Sequence, residues 1–255
     1  MRNEWQTVLA LFLYFLFGTV AGFVDAIAGG GGLITLPALL TMGMSPVQAL
    51  ATNKLQATFG SCSAAVHFIR AGEVSIRENW LIFAITFSGS VIGSLAVRQI
   101  SSGVLDHIIP WLLIGLATFM ILQPSMGELD RPHRVHKGLF AWIAGLCMGF
   151  YDGFFGPGTG TFWAMLFVAF MGFNLRKATA HTKFVNFASN LASLIVFLPV
   201  GAVAWGPGIS MGLGQVVGAR LGAGLVMKRG VGLIRPIFIA VCLALTVKLL
   251  YDNFR

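Results

Sequence analysis

The sequence predicts an all-α polytopic membrane protein made of two inverted repeats, each a glycine-broken re-entrant helix pair followed by three transmembrane helices. Three observations predict it. Of 255 residues, 56% are hydrophobic and 10% charged, with a mean hydropathy of +0.83; soluble domains carry about 25% charged residues. The stretch "GFVDAIAGGGGLITLP" (22–37) returns as "GFYDGFFGPGTG" (149–160), which matches Gly22, Phe23, Asp25, Gly29 and Gly31 to Gly149, Phe150, Asp152, Gly156 and Gly158. Basic residues, finally, alternate between equivalent ends of the two copies.

Apolar segments run at about 7–28, 30–43, 46–69, 79–99 and 103–122, then at 138–155, 157–172, 175–199, 206–227 and 231–250. The polar linker 123–137 separates a first repeat (1–122) from a second (138–255) within one transmembrane domain. The duplication extends past the glycines. "ATNKL" (51–55) matches "AHTKF" (180–184), Gly72 matches Gly201, "GSVIG" (89–93) matches "GQVVG" (214–218), and Pro110 matches Pro236, at offsets of 125 to 129. Two copies of so long a period signal an internally duplicated transporter rather than a solenoid. The segment 30–43 is too short to span about 30 Å as a helix, so it pairs with 7–28 as a re-entrant unit pinched at the glycines.

Charge orients the halves. Arg70 and Arg77 follow the third segment, whereas its counterpart is followed by the uncharged "PVGAVAWG" (199–206). Arg176 and Lys177 precede the eighth segment, while Ser45 opens its counterpart without a basic neighbour. Lys228, Arg229 and Arg235 outnumber Arg98 at the next equivalent turn. The positive-inside rule then inverts the halves, with the linker cytoplasmic and both termini outside. The first segment reads as retained rather than as a signal peptide, because Asp25 and the glycines stand where a cleavage site would lie.

Each break exposes the amides of the helix that follows and lets a ligand approach the backbone, which suits an anion. Gly29, Gly30, Gly31 and Gly32 form the first break; Gly156 and Gly158 form the second, with Pro157 suited to the first helical turn and Thr159 and Thr161 able to cap it or bind ligand. "SPVQ" (45–48) reads as a capped start with proline at N1, which puts Lys54 roughly 13 Å along the helix axis. Asn174 caps the equivalent helix and places Lys183 at the same depth. Asn186, Asn190 and Ser193 continue from Lys183 as a polar stripe; Thr58 and Ser61 continue more weakly from Lys54. Intramembrane ionisable residues are functional candidates by default. Lys54, Lys183, Asn53, Thr182, Asp25 and Asp152 are therefore expected at a midplane anion site, although the aspartates could instead pair with the lysines and hold the halves together. His181 could shuttle protons or merely pack. His67 reads as structural, Arg220 as a snorkelling cation, and Gly89, Gly93, Gly214, Gly218 and Gly222 as close-packing faces.

Composition excludes other classes. The net charge of +8 is spread singly over segment ends, with no nucleic-acid-binding patch. Cys62, Cys147 and Cys242 are too scattered for disulfides or a metal, and neither cofactor nor metal is indicated. Expected partners are a small anion and membrane lipid, with a homodimer left open.

"GFVDAIAGGGGLITLPALL", "ALATNKLQ", "GFYDGFFGPGTG", "KATAHTKFVNFASN", "GARLG" (218–222) and "KLLYD" (248–252) resemble the TauE/SafE family of membrane permeases, and most closely one of its branches, over nearly the whole chain. The resemblance implies a multi-pass inner-membrane transporter, not an enzyme, exporting sulfite or a small organosulfur anion such as a sulfonate. Pro157, and Thr182 opposite Asn53, distinguish the two half-sites. Two rivals remain: a cation or proton-coupled carrier or channel, and an intramembrane aspartyl protease, whose "GxGD" motif the sequence lacks.

Overall fold

The computed structural model describes residues 4–122, 132 and 134–229. Over these residues the chain is helical without strands. In order come α1 (Glu4–Ala28), α2 (Gly32–Thr41), α3 (Pro46–Arg70), α4 (Ile76–Val97), α5 (Ser102–Leu122), α6 (Lys137–Phe154), α7 (Thr159–Met171), α8 (Leu175–Phe197) and α9 (Trp205–Arg229). The segment expected at 231–250, most of the linker, Pro236 and Cys242 lie outside the described residues.

Four described helices are long and apolar enough to cross a membrane: Trp5–Ile27, Ile76–Val97, Leu175–Val200 and Trp205–Met227. α2, with 10 residues, and α7, with 13, are too short to do so. Each folds back against the helix before it. The expected caps are in place: the Ser45 hydroxyl accepts from the Gln48 amide at 3.4 Å, and the Asn174 side chain accepts from the Lys177 amide at 2.9 Å. Pro157 departs from expectation. It lies before α7 rather than in its first turn, because Gly158, at φ +79°, takes the left-handed conformation and delays the helix to Thr159.

Glycine seams join the halves. A Cβ at Gly214 or Gly218 would fall 2.1 Å from the Phe15 carbonyl oxygen or 2.0 Å from that of Thr19, so α9 lies backbone to backbone on α1. Gly89 and Gly93 do the same against Leu146 and Phe150, joining α4 to α6. In both seams contacts advance together along the two helices, so the paired helices are parallel. At one face of the bundle Arg176 pairs with Glu73, and the Arg134 amide donates to the Phe170 carbonyl at 3.0 Å. These contacts gather the end of α3, the end of α7 and the starts of α6 and α8 on that face.

Candidate functional site

The two breaks meet tip to tip. Gly29 has φ +77°, and a Cβ there would lie 2.4 Å from the carbonyl carbon of Gly160. Gly32 faces Pro157 in the same way, at 3.1 Å. Glycine is thus required at the first tip twice over, for its left-handed backbone and for the approach of the second.

Around the tips the charges cross between halves. Lys54, on α3 of the first half, donates from Nζ to Asp152 Oδ1 at 2.7 Å and also to the Asp152 carbonyl. Lys183, on α8 of the second half, donates to Asp25 Oδ2 at 2.8 Å. Both ammonium groups are fully buried, so each needs its carboxylate. The second oxygens differ. Asp25 Oδ1 accepts the Gly31 amide at 3.0 Å, at the start of α2, whereas Asp152 Oδ2 accepts the Ser189 hydroxyl. Asp25 lies in the last turn of α1, the end of a helix that disfavours a carboxylate. It reaches forward onto the favourable N-terminus of α2.

The surroundings differ too. Ser90 donates to the Ser189 carbonyl at 2.6 Å, and Ser94 donates to Ser193 at 2.9 Å, a hydroxyl web that seals the Asp152 side. On the Asp25 side Gly60 and Ala64 of α3 occupy the positions equivalent to Ser189 and Ser193, and Gln215 of α9 the position equivalent to Ser90. No such web forms there, and the Asp25 side chain keeps 22% of its surface open against 3% for Asp152.

Between the tips lies a cavity of about 30 Å³, room for a water or two. Of the residues expected at the site, Asp25, Gly29, Gly31, Gly32, Asn53, Asp152, Gly156, Gly158, Thr159, Asn186 and Asn190 line it. Gly30, Lys54, Thr182, Lys183 and His181 do not. The lysines stand behind their carboxylates, the Thr182 hydroxyl is buried without a partner, and Gly30 accepts from the Leu33 amide at 2.9 Å. His181 sits near the start of α8, its ring 4.7 Å from that of Phe173 and its Nδ1 2.9 Å from the Lys177 carbonyl oxygen; it packs rather than reaching the cavity.

Ser61, from the weaker polar stripe on α3, also lines the wall, together with Gln56, Ala57, Gly160 and Gln215, which the sequence did not single out as site residues. Gln56 Nε2 donates to Asn53 Oδ1 at 2.7 Å, while its own Oε1 and the Oδ1 of Asn186 are buried without partners. Its signal was present, since it follows Asn53 by three residues on one helical face. Gln215 was the single long polar side chain in a glycine motif otherwise explained by packing.

The fold and its buried, charge-crossed breaks define a multi-pass helical membrane protein of the transporter kind. Residues 14–249 match the sequence model of the sulfite exporter TauE/SafE family. The chain is 49% identical to the probable membrane transporter protein YfcA of Escherichia coli K12, over 96% of this chain and 91% of the relative. It is 45% identical to a probable membrane transporter protein of Haemophilus influenzae, over 95% of each chain. No solved structure matches it. The chain belongs to the TauE/SafE family of membrane transporters.

Proposed function

We propose that this chain is an inner-membrane permease that exports a small oxyanion, sulfite or an organosulfur anion such as a sulfonate, past the two breaks, whose cavity widens from its present water-sized volume to admit the anion. One observation carries the reading. The Asp25 carboxylate is held by a buried ammonium, Lys183, and by a helix N-terminal amide, Gly31. Those two groups are what an oxyanion needs. Asp25 thus acts as a built-in anion, and the transported one competes with it for the same donors. The description of the matching family, sulfite exporter, supports the substrate class.

The inverted arrangement of the repeats is supported by the reciprocal pairing of α1 with α9 and α4 with α6, and by the crossed ion pairs. With the basic face inside, the N-terminus lies outside and the re-entrant tips lie at the midplane. A membrane potential of 100 mV, negative inside, favours exit of a monovalent anion by about 2.3 kcal/mol, so facilitated export needs no further energy source.

Proteoliposomes test this directly. Labelled sulfite or a short alkane sulfonate should leave under a potential that is negative inside, and leave faster than from protein-free vesicles. Movement of a cation from a test panel, with no anion flux, would overturn the proposal.

A further inference from the structure

A second cavity lies away from the site just described, in a surface cleft where α3 ends beside α9. It has a volume of about 220 Å³ and is lined by Ser63, Val66, His67, Arg70, Ala71 and Arg220. Among the described residues neither guanidinium meets a carboxylate, since the ion pairs there join Lys54, Lys183 and Arg176 to other acids. Arg220 shares this cleft with His67 and Arg70 of the last turn of α3, so the two guanidinium groups stand at the same end of the bundle.

The duplication supplies an internal comparison. At the repeat offsets, Val66, His67 and Arg70 of α3 correspond to Ile195, Val196 and Pro199, and Arg220 of α9 corresponds to Leu95 of α4. The equivalent cleft carries no cation at these positions; its one nearby guanidinium, Arg98 at the end of α4, is spent on the Val196 carbonyl at 3.4 Å, so the pair of arginines is particular to the α3–α9 cleft. Below them, Leu213, Val217 and Leu221 stand exposed at four-residue spacing on α9, with Val66 exposed on α3. A cationic cleft at the head of an exposed apolar stripe matches one amphiphile: a phosphate headgroup above acyl chains.

We propose that this cleft binds the headgroup of an anionic phospholipid, with its phosphodiester between Arg70 and Arg220 and its chains along the α9 stripe. The orientation proposed above decides only which leaflet supplies the lipid. It does not bear on binding in detergent.

Native mass spectrometry of the full chain in detergent, with phosphatidylglycerol or phosphatidylcholine added at equal concentration, tests the site. The parent should retain phosphatidylglycerol preferentially. Arg70→Gln and Arg220→Gln should each lower that retention about fivefold, while Arg77→Gln, on an exposed arginine at the start of α4, should not. The thermal midpoint in phosphatidylcholine serves as the folding control, and the charge-retaining Arg220→Lys should keep much of the preference. Equal retention of the two lipids by the parent would overturn the proposal. Three other outcomes would do so too: full retention in the Arg70→Gln/Arg220→Gln double variant, displacement of the lipid by glycerol 3-phosphate or sulfite at equal concentration (an aqueous anion site), or a shift of Arg220→Gln from dimer to monomer with lipid unchanged.

Discussion

Lys183 and Asp25, 158 positions apart in the chain, meet at 2.8 Å, and Lys54 and Asp152 repeat that meeting in the opposite sense. Each half therefore supplies the counter-charge for the other's helix break. Both lysines stand behind the cavity wall, so at rest the cavity meets their charge through the carboxylates they hold.

The two pairs should respond unequally to loss of the acid. Asp152→Asn leaves the Lys54 ammonium sealed among serines, and should lower stability by about 3–5 kcal/mol. Asp25→Asn leaves Lys183 beside a space that water can enter, and should cost less than half as much. Thermal unfolding in detergent measures both, and equal losses would contradict the asymmetry. The double variant Lys54→Met/Asp152→Asn should recover part of the loss, because no unpaired charge remains.

Removing the built-in anion should favour the external one. In Asp25→Asn the ammonium of Lys183 no longer faces a carboxylate, so stabilisation by sulfite or sulfonate should appear at roughly tenfold lower concentration, the equivalent of about 1.4 kcal/mol. Potential-driven flux should persist in this variant. If Asp25→Asn instead abolishes only an uphill flux driven by a pH gradient, Asp25 is a proton-coupling residue and export is not facilitated diffusion.

The tip contact makes a sharp prediction for glycine. Gly29→Ala adds a methyl group 2.4 Å from the Gly160 backbone at a positive φ, and should destabilise by more than about 3 kcal/mol. Gly72→Ala has a similar φ, +77°, but nothing within 4 Å, and should cost only about 1 kcal/mol. Comparable losses would mean that the tips do not need their close approach.

Topology is open to cysteine labelling in a background without Cys62, Cys147 and Cys242. Ser75→Cys and Arg134→Cys should react only from the cytoplasm, and Ser101→Cys and Val200→Cys only from outside. Labelling of positions 75 and 134 from opposite sides would break the inverted arrangement.

Much of this was readable along the chain. Helix limits followed from hydropathy and from the Ser45 and Asn174 caps, and the short α2 and α7 followed from the glycines. Depth along a helix places Lys54 and Lys183 at the level of the breaks, because rise per residue is fixed. The duplication makes the Asp25 and Asp152 carboxylates candidate partners for these lysines, as the ion pairs bear out. Which lysine meets which aspartate depends on neighbours 98 and 158 residues away, which no local period encodes. The lysines were expected in the cavity and stand behind it. Gln215 was hidden by its setting, and Pro157 was misplaced because the left-handed Gly158 follows it.

The crossed ion pairs also set a schedule for synthesis. Lys54 enters the membrane 98 residues before Asp152. At about 5–20 residues per second, its counter-charge arrives roughly 5–20 seconds later. During that interval the nascent first half holds an ammonium without its partner, and Asp25 waits longer still, for Lys183. The first half cannot mature on its own, and its final packing is deferred until the second has been inserted.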